Sequence, residues 1–245
     1  MNKTVTAILL VGTGLGQVSF AQTVLEVEGA YVIPGYNDVA IPGNSGTRFS
    51  LTEDLEAEET FAIRLRASYR FAENHWVALL AAPLTMKSHG TLDKSVDFNG
   101  TTFAAGTPLD ATYRFDSYRL IYRYRIHKSE EWQFSFGAAA KVRDASITLE
   151  GGGMEAEKTD TGVVPLLSFD MIWTPIEKLH LLIDGEALAA PQGRAEDILF
   201  AVQYDVARQL SLKAGYRVLE GGSDNDEVYT FALFHQFVVG AAWSF

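Results

Sequence analysis

The residues best able to do chemistry in this chain are its carboxylates and histidines. Asp224, Asp226 and Glu227 stand together in "SDNDEVYTFALFH", ahead of His235. A carboxylate and an imidazole within hydrogen-bond reach can activate water or a hydroxyl. For these residues the strand period decides the matter. Counted back from the C-terminal residue, His235 falls on the outward face, away from the acids unless a bulge intervenes. A solvated acidic loop is the simpler reading. Asp224 and Asp226 also alternate as Ca²⁺-loop ligands do, but the glycine and bidentate glutamate of a full loop are missing. Glu53, Asp54, Glu56, Glu58 and Glu59 form a second acidic stretch, which reads as a solvated rim. With no cysteine, disulfides, thiolate metal sites and a Cys nucleophile are excluded. "GTGLG" at Gly12 fits no nucleotide-binding pattern. No catalytic residue, metal or cofactor is assigned, and the chain is expected not to be an enzyme.

The elements that would position these groups are strands. "TFAIRLRASYRF", Thr60 to Phe71, alternates an apolar set with a set carrying Arg64, Arg66 and Arg70. Similar runs cover Val24–Ile33, His75–Met86, Thr112–His127, Trp132–Leu149, Gly162–Trp173, Leu179–Ala189, Ile198–Val206, Leu210–Leu219 and Tyr229–Phe245. That makes about ten strands with no helical stretch between them; eight or twelve are the alternatives. Most reach the ~9–11 residues a tilted membrane strand needs. Turns are short around Asn74, Ser129, Ile176 and Arg208. Connections are long at Pro34–Glu59, Lys87–Ala111, Glu150–Thr161, Pro191–Asp197 and Glu220–Val228. Short turns on one rim and long loops on the other mark an outer-membrane barrel. The expected fold is all-β, a closed antiparallel transmembrane barrel over residues 22–245.

Alternation does not say which face meets lipid, since soluble barrels alternate too. The tryptophans do. Trp76, Trp132, Trp173 and Trp243 all lie near short turns or the C-terminus, with Tyr69, Phe71, Tyr124 and Phe245 at the same level. Amphipathic aromatics at one height form an interfacial girdle. With Phe245 toward lipid, the inward set becomes Glu26, Glu28, Arg64, Arg66, Arg70, Arg119, Arg123, Arg125, Lys141, Arg143, Asp170, Asp184, Glu186, Lys213 and Arg217. Acids crowd the first, sixth and seventh strands; bases crowd the second, fourth and fifth. Ring closure brings the acidic first strand beside the basic second, so pairing is expected. His180 faces this lumen near Asp170 and Asp184, as a member of the network or a titrating group.

"AAWSF" at the C-terminus resembles the terminal strand of bacterial outer-membrane barrels, which implies that the barrel-insertion machinery reads Phe245. "FNGTTFAAGTPLDATYRFDSYRLIYRYR" from Phe98, "APQGRAED" from Ala190 and "LKAGYRVLEGGSDNDEVYTFALFH" from Leu212 are together similar to a porin-like group of small Gram-negative outer-membrane proteins. The resemblance spans most of the chain. It implies fold and location, with outer-membrane lipid and lipopolysaccharide as partners, and brings no catalytic residues. The loop carboxylates and histidine of omptin-like proteases are not matched in phase. A His-x-Ser pair backed by an acid, as in lipid A deacylase-like barrels, is not assigned.

Lys3, the apolar run Val5–Leu15 and Ser19-Phe20-Ala21 read as an export signal, residues 1–21, cut before Gln22. Its removal takes the formal charge from −11 to −12, since Lys3 is its one charged side chain. An acidic chain excludes a nucleic-acid partner, which needs a basic footprint. The expected function is a small passive barrel in the outer membrane, either a narrow pore or a non-conducting barrel. Two alternatives stand beside it. A hydrolase at the loop rim would bring a histidine and a carboxylate together. An adhesion barrel would expose loop aromatics such as Tyr36, Phe49 and Phe103.

Overall fold

In Thr60–Ala72, Phe61, Ile63 and Leu65 are 81%, 60% and 53% exposed while Arg64 between them is buried. Water cannot account for that inversion; lipid around a polar interior can. The computed structural model describes residues 22–245, so the expected export signal lies outside the described residues. Among these residues there is no helix. Ten antiparallel strands close a ring: β1 Gln22–Ala40, β2 Thr60–Ala72, β3 His75–Ala82, β4 Pro108–Lys128, β5 Trp132–Gly151, β6 Met154–Ile176, β7 Leu179–Ala190, β8 Gly193–Ala207, β9 Leu210–Asp224 and β10 Tyr229–Ser244. Each pairs with its sequence neighbours, and β1 closes the ring on β10 with Leu25 opposite Trp243 and Tyr31 opposite Phe237. The ring thus has no free edge strand, although β6 before Leu167 pairs with β5 alone.

The wall is taller than the alternation implies. Residues 150–161, expected as a loop, belong to a β5–β6 hairpin paired out to Gly151 and Met154. The supposed loop Pro191–Asp197 is mostly strand, and so is Glu220–Asp224. Residues 150–161 are mostly polar and glycine-rich, so strand continues there where the apolar alternation has faded. The third strand breaks at Pro83-Leu84, and Thr85–Thr91 continues along β4. Proline has no N–H for the ladder.

The long loops fold inward. In the first, Phe49–Ser50 pairs with β1 and Glu56–Ala57 with Thr85–Thr91. In the second, Val96–Phe98 and Thr101–Phe103 form a hairpin. Its turn, Asn99-Gly100, has φ values of 44° and 83°, the doubly left-handed turn that this dipeptide adopts readily. Ile41, Phe49, Leu51, Leu55, Leu92, Val96, Phe98 and Phe103 pack with Val32, Val39, Tyr113, Leu149 and Phe234 of the wall. This apolar core caps the long-loop end of the barrel.

Candidate functional site

Below the cap, the lumen is filled by charge. Strand phase sends Glu26 and Glu28 of β1, Arg64 and Arg66 of β2, and Arg119 and Arg123 of β4 to the axis. Asp170 of β6, Asp184 and Glu186 of β7, Asp197 of β8, and Lys213 and Arg217 of β9 meet them there. Asp197 is the hub: Arg64, Arg119 and Arg217 reach it at 2.8, 2.6 and 2.6 Å. Arg217 also holds Glu28 at 2.6 Å, and Lys213 holds Glu28 and Glu26 at 2.5 and 2.9 Å. Arg119 pairs with fully buried Glu186. One layer toward the short turns, Arg66 grips both oxygens of Asp184 at 2.8 and 3.1 Å. Arg123 reaches Asp184 at 2.5 Å, Glu186 at 3.0 Å and Asp170 at 3.4 Å. Six cations face six carboxylates. Charges buried to this depth persist when paired and hydrogen-bonded.

Eleven of the fifteen expected lumen residues enter this network, and four lie elsewhere on the inner face. Arg125 binds the β2–β3 turn, donating to the Glu73 carbonyl at 2.6 Å and to Asn74 Oδ1 at 3.2 Å. Arg70 lies over the Trp76 ring at 5.4 Å. Lys141 sits over the Phe115 ring at 4.5 Å, and Arg143 pairs with Asp160 near the long-loop end. The arginines of β2 and β4 that enter the network are therefore neutralised, and they do not form the bare positive constriction that a pore reading would use.

Sequence reading missed Asp197 because "APQGRAED" looked like a loop. Its signal was present all the same: Asp197 shares the odd phase of buried Leu199 and Ala201.

Tyr69, Phe71, Tyr124, Trp243 and Phe245 are exposed on the outer wall, and Trp132 and Trp173 stack there with centroids 5.5 Å apart. Trp76 is the exception. It pairs in register with Arg70 and Arg123 and lines the lumen, because it shares their phase despite lying beside a turn. His235 points outward as its phase requires, with Nδ1 2.5 Å from the Tyr216 hydroxyl. The acids at Asp224–Glu227 therefore have no histidine to work with at that strand.

The sequence also holds one His-x-Ser spacing, His127-Lys128-Ser129, which the reading above passed over. Ser129 Oγ accepts from the Trp132 amide at 3.0 Å, and His127 packs on Phe134. Those roles are a turn clasp and a girdle contact. Phe49 and Phe103 are buried in the cap and Tyr36 bonds Glu220, so the aromatics expected of an adhesion surface are engaged within the barrel.

Toward the short turns the lumen opens. A cavity of about 200 Å³ lies under the network, walled by Val24, Trp76, Ile121, Ile172 and Leu182. It adjoins a mouth of about 400 Å³, sharing Gln133, Ile172, Leu182 and Gln203 with it. His180 lies in that mouth. It meets Asp205, not Asp170 or Asp184 as the sequence suggested, because it stands nearer the rim. Among the described residues no group of three or more His, Cys, Asp or Glu is placed to hold a metal ion.

A closed ten-stranded ring, a lipid-facing apolar wall and an aromatic belt define an outer-membrane β-barrel of the Gram-negative type. The chain is similar to several solved structures. The outer membrane protease OmpT from Escherichia coli aligns over 95% of this chain and 99% of its own, with TM-score 0.53 and 7% identity. The COG4313 outer membrane channel from Pseudomonas putida F1 covers 95% of this chain and 100% of its own at TM-score 0.45 and 8% identity. Ail, the attachment invasion locus protein of Yersinia pestis, covers 92% and 99% at TM-score 0.36 and 13% identity. No family model and no curated protein matches the chain.

Proposed function

We propose that this protein is a non-conducting outer-membrane barrel, which acts through its two ends and its outer wall and passes no solute along its axis. The observation that carries the reading is the interlocked network of six cations and six carboxylates across the lumen. An ion moving through would have to break several of these pairs, each costing on the order of 3–5 kcal/mol when one partner is left bare. The apolar cap is a second barrier in series. The Ser19-Phe20-Ala21 cleavage pattern and the terminal Phe245 support export and insertion by the barrel machinery. On the outer wall, Arg48 lies 4.0 Å over the Tyr229 ring and pairs with Asp38 at 3.3 Å, and Arg194 lies 4.9 Å over Phe231 and pairs with Glu220 at 2.5 Å, so neither is a free cation for a lipopolysaccharide phosphate. Liposome swelling with small sugars and amino acids tests the reading. Vesicles carrying folded protein should swell no faster than empty ones; solute uptake would overturn it.

A further inference from the structure

The mouth at the short-turn end holds an arrangement that the sealed lumen does not use. Thr174 Oγ1 lies 2.9 Å from His180 Nδ1, and His180 Nε2 lies 3.0 Å from Asp205 Oδ2. Ser211 donates to Asp205 Oδ1 at 2.6 Å. The four side chains come from β6, β7, β8 and β9, and all line the same 400 Å³ mouth. A carboxylate only accepts hydrogen bonds, so the proton of a neutral His180 must sit on Nε2. That leaves the Nδ1 lone pair facing the Thr174 hydroxyl, which donates to it. A hydroxyl bonded to an imidazole whose far nitrogen is held by a carboxylate is the constellation of nucleophilic acyl transfer. The surroundings fit a small acyl group: Ile172 and Leu182 supply apolar walls, and the charges of Lys128 and Arg208 are balanced by Glu130 and Glu131 on the same mouth.

We propose that this mouth is an esterase site, open to the periplasm, for small uncharged acyl esters. Thr174 Oγ1 attacks the ester carbonyl while His180 Nδ1 takes its proton. The carbon–oxygen bond to the alcohol breaks, and that proton leaves with the alcohol. Water then adds to the acyl-threonine, giving its proton to His180, and the acid departs as Thr174 recovers its hydroxyl. Thr174 and His180 are the catalytic residues; Asp205 positions His180, and Ser211 positions Asp205. The site goes beyond the sealed-barrel reading and does not depend on it, since the mouth opens below the charge network.

The test uses the refolded full barrel in detergent, with its heat-modifiable gel mobility confirming the fold of every variant. A fluorophosphonate probe should label the protein once, at Thr174 by peptide mapping, and p-nitrophenyl acetate should be hydrolysed above the detergent blank. Thr174→Ala and His180→Ala should abolish labelling and reduce hydrolysis roughly 100-fold. Thr174→Ser should keep both activities. Asp205→Asn, which preserves shape but permits the other tautomer, should fall with the alanine variants. A folded protein that is neither labelled nor active would overturn the proposal. So would label on another residue, or activity unchanged in Thr174→Ala. Those outcomes would make the four residues a clasp between strands, and liposome swelling would be unaffected in either case.

Discussion

Asp197 accepts from three guanidiniums at the axis of the barrel, and this concentrates the energetic risk of the lumen in a few side chains. Removing Arg217 leaves Glu28 and Asp197 each short of a partner in a buried site. Arg217→Ala should therefore destabilise the barrel by about 3–5 kcal/mol, read from urea unfolding in lipid by gel mobility. An unchanged midpoint would mean that water fills the gap. Trp76 makes a second prediction. Single-tryptophan variants retaining Trp132, Trp173 or Trp243 should be quenched by brominated lipid chains, and the variant retaining Trp76 should not. Equal quenching of all four would return Trp76 to the girdle. Most of the network was legible in the sequence because period two sorts Glu26, Arg64, Arg123 and Arg217 with no knowledge of partners. The pairing itself was not, since it depends on which strands face each other across the ring.

The strands were legible where lipid imposes apolar alternation and illegible above it. Phe61, Ile63 and Leu65 announce β2, whereas the tip of the β5–β6 hairpin, mostly polar and rich in glycine, reads as a loop. The loop cap was beyond reach, because Phe49 and Phe103 carry no periodicity to tell a buried aromatic from an exposed one. The elements also make close approaches that only glycine permits. A side chain added at Gly137 of β5 would run into the Tyr122 carbonyl of β4. Gly137→Val should therefore lower the yield of folded, heat-modifiable barrel, and a normal yield would mean that the two strands separate at little cost. In the cap, Phe98 is fully buried. Phe98→Ala should cost about 3–5 kcal/mol of stability. It should leave the barrel closed, because the charge network lies beneath it.

The described residues form a closed wall with unlike ends: an apolar cap under the long loops, a charge network in the middle and an open mouth at the short turns. Alternation, girdle and loop asymmetry are properties of the whole chain, which is why architecture was readable where function was not. A common fold admits many activities, and what separates them here is whether the lumen is filled. Planar-bilayer recording of the refolded protein in neutral salt tests that most directly. The wild type should give no conductance steps, nor should variants that remove the network or the cap alone, while a variant lacking both should conduct. Discrete steps from the folded wild type, shifting in ion preference on Arg66→Ala or Arg123→Ala, would contradict the sealed lumen and make the protein a pore.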